Sequence, residues 1–245
     1  MELTEEQVRE FAERGYVVVP DVVPQNLVDE ASRTIDKLTE NDPPDADHTG
    51  YHFYFPTSEE EPSLLHLLTR SPAFAMAETL IGPGAMEVPL QIQVALNIPP
   101  WEGLEGHHID GRPPEVAGEW PGTFTMLGCV LLSDESAGDR GNLNVWPGTH
   151  LKHAEYFREH GPDALLGTNA SPPIELPEPV AITGKPGDLL LAHYMLGHNV
   201  GGNKSSLTRR AVYYRLAREG HKEQWRDALR DAWLEYDGVR PFVQH

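Results

Sequence analysis

A mostly β body fronted by helices is the fold class this sequence predicts, and three observations carry the prediction. The 22 glycines and 22 prolines among 245 residues cut the middle of the chain into pieces too short for long helices. The first 85 or so positions carry helical spacing, and from Val88 onward short β-type runs replace it. Six or more such runs imply a sandwich or barrel.

The elements follow in order. Thr4 and Gln7 form a capping box, Leu3 and Val8 suit a hydrophobic staple, and Gly15 supplies a left-handed stop, so a helix of about ten residues is expected first. Tyr16 to Val19 reads as a strand. Leu27, Val28, Ala31, Ile35 and Leu38 recur at helical spacing and predict a second amphipathic helix, and Ser71-Pro72 opens a third that closes near Gly82. The expected strands are Gln91 to Ile98, Phe124 to Leu132, Leu143 to Trp146, Val180 to Thr183, Asp188 to His193 and Arg209 to Ala217. Trp225, Leu229 and Trp233 fall at i, i+4 and i+8 and predict a C-terminal helix packed by those three side chains. One domain is expected, with 1–85 as helical front and lid elements, 86–217 as the β core and 218–245 as the closing helix and tail.

Charge and composition narrow the function classes. The net charge is −19, and residues 1–61 hold 16 acidic against 4 basic residues. Such a surface repels phosphate backbones and anionic lipid heads, so neither nucleic acid nor a membrane is an expected partner. No apolar run approaches the roughly 18 residues a membrane span needs. Cys129 is the single cysteine and has no internal disulfide partner, and the acidic start from Met1 to Glu6 has no signal-peptide character, which makes the cytoplasm the expected location. Nothing here reports on oligomeric state.

Twelve histidines invite a search for a metal centre. His108-Ile109-Asp110 is an HxD triplet, but with 12 His and 14 Asp chance alone supplies roughly 0.7 of them, so context must carry the claim. At an extended strand end residues i and i+2 point the same way, so His108 and Asp110 present an imidazole and a carboxylate together while His107 faces away. Those are two ligands of a non-haem iron facial triad, which needs one more histidine. His193 and His198, at the end of the apolar run from Leu189, are both candidates. Further on, Arg209-Arg210 opens a strand, where an inward-facing arginine is placed to hold a carboxylate bidentately.

The ordered combination resembles the phytanoyl-CoA dioxygenase family of Fe(II) and 2-oxoglutarate-dependent oxygenases. Leu3 through Pro20 is similar to that family's N-terminal helix and strand, and Gly141-Asn142-Leu143 through Pro147-Gly148-Thr149-His150 to its "NGxLxxxPGSH" element. The family places its distal metal histidine eleven residues before the arginine that binds 2-oxoglutarate, a spacing that selects His198 with Arg209, because eleven beyond His193 is Lys204. The resemblance implies a double-stranded β-helix, a distorted jelly roll, with Fe(II) held by His108, Asp110 and His198. It implies Arg209 on the distal carboxylate of 2-oxoglutarate, with Gln93 and Asn97, and more weakly Thr125, lining the cosubstrate pocket. His107, His150 and His193 are given structural roles. The aromatic cluster Tyr51 to Phe55 reads as a strand on the body, with a cover over the site as the alternative.

The implied activity is a dioxygenase that uses dioxygen and 2-oxoglutarate, decarboxylated to succinate, to hydroxylate a small organic metabolite. Desaturation or cyclisation of a natural-product intermediate stays open, since those outcomes depend on substrate placement. Halogenation is not expected, because Asp110 occupies the position a halogenase leaves to halide. A non-catalytic jelly-roll binding protein would have lost a triad member or the arginine, and all four are present. The five lysines are scattered and no basic cluster lies outside Arg209-Arg210, so a free small molecule is expected as substrate in place of a coenzyme A thioester; Arg112 and Arg140 are the residues able to form a local anion site after folding.

Overall fold

Helix α1 (Glu5–Arg14) forms where the capping box places it. Thr4 Oγ1 accepts from the Gln7 backbone N–H at 3.3 Å, and the Gln7 side chain accepts from the Thr4 N–H at 2.9 Å. Gly15 ends the helix at φ 82°, and a Cβ there would sit 2.5 Å from His150 Nδ1, so both the angle and the close approach demand glycine. The structure is a computed structural model that describes residues 1–112 and 118–243.

Strand β1 (Tyr16–Val19) and helix α2 (Gln25–Asn41) follow, with Leu27, Val28, Ala31 and Ile35 buried as their spacing predicts. Strand β2 (Gly50–Tyr54) comes next, then α3 (Pro62–Thr69), which the sequence reading missed, and α4 (Ala73–Ile81), whose start is held by Ser71 Oγ accepting from the Ala73 N–H. Strands β3 (Ile92–Ile98), β4 (Trp101–Gly103), β5 (Met126–Leu131) and β6 (Leu143–Val145) lead to helices α5 (Thr149–His160) and α6 (Ala164–Gly167). Strands β7 (Val180–Ala181), β8 (Leu189–His193), β9 (His198–Asn203) and β10 (Arg209–Leu216) complete the body, and α7 (His221–Arg230) and α8 (Arg240–Val243) close the described chain. Trp225 and Leu229 bury one face of α7, but Trp233 lies beyond its end. There the chain turns, with the Trp233 N–H donating to Asp231 Oδ1, so the expected third packing position belongs to a loop.

Two antiparallel sheets result, one of six strands in the order β1-β8-β5-β10-β3-β2 and one of four in the order β4-β9-β6-β7. This is a jelly roll, and the period of two along each strand divides its core. Val17, Val94, Val130, Leu191 and Val212 face the helices α1 to α4 on the outside of the large sheet, whereas Ala95, Leu127, Cys129, Leu190 and Ala211 face the small sheet. Among the described residues no helix is long and apolar enough to cross a membrane.

Candidate active site

The small sheet continues beyond β9 through an isolated antiparallel bridge between His108 and His198, each donating its N–H to the other's carbonyl at 3.0 Å. That pairing sets the two imidazoles side by side, with ring centroids 4.5 Å apart. Asp110, two residues on, points to the same side, so both histidine Nε2 atoms lie 4.0 Å from Asp110 Oδ1. Among the described residues these three are the group of His, Cys, Asp or Glu donors close enough to share one ion, with donor atoms within 4.8 Å of one another.

Protonation and hydrogen bonding prepare the group. His198 Nδ1 donates to the Leu196 carbonyl at 2.9 Å, which leaves its Nε2 with a lone pair directed at the cluster. Burial, then the neighbouring His198, push the His108 imidazole down to about 4, so it is neutral at pH 7. Burial works against a charged Asp110, but Arg215 and the two imidazoles outweigh it and hold the carboxyl below its usual range. Arg215 Nε stands 3.3 Å from Asp110 Oδ2, so the carboxylate is gripped on the oxygen that does not face the histidines.

His193 is excluded by its own bonds. Its Nε2 donates to the Ala232 carbonyl at 2.7 Å and its Nδ1 accepts from the Met195 N–H at 2.9 Å, which consumes both nitrogens. His107 turns away from the cluster and stacks on His153, with the Nε2 atoms 3.2 Å apart and His153 Nδ1 donating to the Met195 carbonyl. His150 is fully buried and bonds the Ala12 carbonyl at the end of α1.

A cavity of about 310 Å³ between the sheets has the His108, Asp110 and His198 cluster and Arg209 in its lining. Arg209 is buried, its Nε donating to Glu135 Oε1 and its Nη2 to the Tyr213 hydroxyl, each at 2.9 Å. Glu135 thereby takes the Nε edge of the guanidinium and Tyr213 one bond of Nη2, which leaves Nη1 for a ligand. Burial opposes the charge, but Glu135 outweighs it and keeps Arg209 protonated. Arg210 faces outward and pairs with Asp36 at 2.7 Å, as strand alternation requires.

Gln93 lines this cavity beside Tyr213, its partner in register. Asn97 does not, although it pairs with Arg209: its Nδ2 donates to the Gly201 carbonyl at 2.9 Å and ties the two sheets together. Thr125 corrects the expectation more plainly. Its hydroxyl donates to Glu235 Oε2 at 2.7 Å and accepts from the Arg218 N–H, under the C-terminal segment and away from the cavity. Tyr51, Phe53 and Phe55 line the cavity while Tyr54 is buried and bonds the Asp42 carbonyl. Strand packing and cavity wall are thus alternate faces of β2. Sequence reasoning passed over Tyr213 and Arg215, which were available by counting in twos from Arg209 along β10.

Residues 107–211 match the family model of phytanoyl-CoA dioxygenase. Over that stretch the chain is similar to the phytanoyl-CoA dioxygenase family. The match takes in all three cluster residues and Arg209. No curated protein sequence matches the chain. Its fold is shared with HygX from Streptomyces hygroscopicus in a crystal structure with nickel, 2-oxoglutarate and hygromycin B bound, at TM-score 0.63 and 17% identity over 98% of this chain and 100% of that one. It is shared also with the carbocyclase SnoK from nogalamycin biosynthesis, at TM-score 0.62 and 20% identity over 86% and 82% of the two chains. EctD from S. alaskensis with bound Fe gives TM-score 0.61 and 20% identity over 88% and 77%. At these identities the likeness is one of fold.

Proposed function

We propose that this protein is an Fe(II)/2-oxoglutarate-dependent oxygenase that hydroxylates a small organic metabolite. The observation that carries the reading is the shared cavity: His108, Asp110 and His198 and the buried guanidinium of Arg209 all line it. The donor set fits the metal. Two imidazoles and one carboxylate suit Fe(II), and three protein ligands leave further coordination positions open. The bound metals and 2-oxoglutarate of HygX, and the bound Fe of EctD, support the same assignment.

In this reading His108, Asp110 and His198 hold the iron, while Arg215 and the Tyr194 hydroxyl, which donates to the Asp110 carbonyl, orient the carboxylate ligand. Arg209 takes the distal carboxylate of 2-oxoglutarate through the end that Glu135 leaves free, with the Tyr213 hydroxyl beside it. Ala95, Leu127 and Leu143 keep the cavity wall apolar and exclude water. The loaded metal supplies oxidation by dioxygen coupled to decarboxylation of 2-oxoglutarate to succinate, and no side chain need act as acid or base for hydrogen abstraction and hydroxyl transfer. The protein is taken as a single oxygenase domain working on a free small molecule in the cytoplasm.

The test is substrate-dependent succinate release from purified protein with Fe(II), 2-oxoglutarate, dioxygen and a metabolite panel, with products identified by mass. A product heavier by one oxygen supports hydroxylation, and one lighter by two hydrogens indicates desaturation or ring closure. Absence of iron binding and of any succinate above the protein-free control refutes the oxygenase reading.

A further inference from the structure

A second hollow of about 400 Å³ adjoins the first and shares Phe55, Asp110 and Arg215 with it. Its remaining functional lining is Gln91, Arg112 and Trp120. The Arg112 N–H donates to the Pro121 carbonyl at 2.9 Å, and its side chain runs over Gly122, where an added Cβ would stand 3.7 Å from both Cγ and Nε. Trp120 is pinned by its Nε1–H, which donates to the Thr123 carbonyl at 3.0 Å. The hollow therefore joins two guanidiniums, a fixed indole and the Phe55 ring at the edge of the cluster.

Charge gives this arrangement its meaning. Asp110 is the only carboxylate among the described lining residues, and Arg215 already grips it. No carboxylate among the described residues lies within 4 Å of Arg112 to form an ion pair. Around the joined cavities the described residues set three guanidiniums, Arg112, Arg209 and Arg215, against two carboxylates, Asp110 and Glu135. A divalent ion and a dianionic cosubstrate cancel each other and leave that excess of one positive charge in place. In a chain of net charge −19, the exposed Arg112, with no carboxylate partner among the described residues, is a location for an anion at the mouth of the site. Beyond Trp120 the next hollow has mixed charge, with Glu87, Glu219 and Glu223 set against Arg215 and Lys222.

We infer that the substrate carries one carboxylate on an apolar or aromatic body: Arg112, assisted by Arg215, binds the carboxylate in the outer hollow, and Phe55 and Trp120 flank the body. This rests on the oxygenase reading and names the substrate class of the same site.

Calorimetry under anaerobic conditions tests it, using the holoprotein with Fe(II) and 2-oxoglutarate titrated in first and 3-phenylpropanoate compared with 3-phenylpropanamide as probes. The carboxylate is expected to bind about tenfold or more tightly than the amide and without displacing 2-oxoglutarate, since a charge-assisted bond is lost in the amide. Arg112→Gln should reduce that preference to within about threefold and Arg112→Lys should keep part of it, while Arg33→Gln, a charge change on the exposed face of α2, should leave it intact. Equal binding of amide and carboxylate, displacement of 2-oxoglutarate by the carboxylate, or an undiminished preference in Arg112→Gln overturns the proposal. Coenzyme A binding as tightly as the carboxylate also overturns it. Failure of Fe(II) and 2-oxoglutarate to bind in the first titration overturns the oxygenase reading and the charge count built on it; their binding without a carboxylate preference overturns the substrate class alone.

Discussion

Arg209→Ala removes half of a buried ion pair and the cation that faces the cavity, and the two losses have separate readouts. The Arg209 and Glu135 side chains are 3% and 0% exposed, and their 2.9 Å bond leaves Glu135 Oε2 with no partner even in the intact protein. Breaking such a pair costs about 3–5 kcal/mol, because the surviving charge is buried alone. Burial already pushes the Glu135 carboxyl up, so the orphan can take a proton, which favours the lower end of that range. At about 2–4 °C per kcal/mol for a chain of this size, the melting temperature should fall by roughly 6–12 °C. The lost charge-assisted contact, about 1.5–3 kcal/mol, should raise the 2-oxoglutarate requirement roughly 10- to 150-fold in succinate assays. The double variant Arg209→Met with Glu135→Leu separates the effects: apolar replacement of both partners should restore most of the stability and none of the cosubstrate affinity. A 2-oxoglutarate requirement within threefold of wild type in Arg209→Ala, or recovered affinity in the double variant, refutes the assignment.

His108→Ala, Asp110→Ala and His198→Ala should each abolish retention of iron, measured as metal content after desalting, while His193→Ala should retain it and melt earlier by the loss of two buried hydrogen bonds, about 1–3 kcal/mol. The reverse pattern at His193 and His198 would show that the eleven-residue spacing selects the wrong histidine. Acid should destabilise the fold: burial pushes the His153 and His193 imidazoles down to about 4, so between that value and the unfolded value of about 6.5 the unfolded chain binds the protons that the folded chain excludes. Stability from these two groups is therefore complete above about pH 6.5 and is lost as the pH falls towards 4, by something on the order of 3 kcal/mol for each; a melting temperature flat from pH 7 to 4.5 contradicts this. Turnover in chloride buffer should yield no chlorinated product, because Asp110 fills the position halide would need, and mass spectrometry of the wild-type products decides it.

Local chemistry made much of this molecule legible before any fold was known. The Thr4 and Gln7 capping box, the Gly15 stop and the apolar spacing of α2 depend only on neighbours within a few residues, and the alternation of β10 put Arg209 and Arg210 on opposite faces by geometry alone. The same parity assigned His108 and Asp110 to one side. Elements whose signal is not local escaped. Helix α5 buries His150 and His153 beside Ala154 and Phe157, so polar residues mask its apolar stripe, and Pro147-Gly148 reads as a turn. Strand β9 contains Gly201, Gly202 and two asparagines of low strand propensity; it is a strand because its backbone lies against β6 and β4, so closely that a Cβ on Gly201 would stand 2.7 Å from the Asn142 carbonyl oxygen.

What the sequence by itself determined was therefore the inventory and its phase: which residues carry the chemistry and which side of a strand each takes. What only the tertiary structure decided was who meets whom. Residue types cannot tell that Thr125 is spent on Glu235, that Asn97 bolts β3 to β9, or that Ala232 and the Met195 N–H consume both nitrogens of His193 while His198 keeps one free. Those outcomes depend on contacts between positions as far as 110 residues apart, which are fixed by the packing of the sheets and the closing C-terminal segment. The pairing of Arg209 with Glu135, 74 positions away, is of the same kind, and it determines which edge of the guanidinium a ligand can reach.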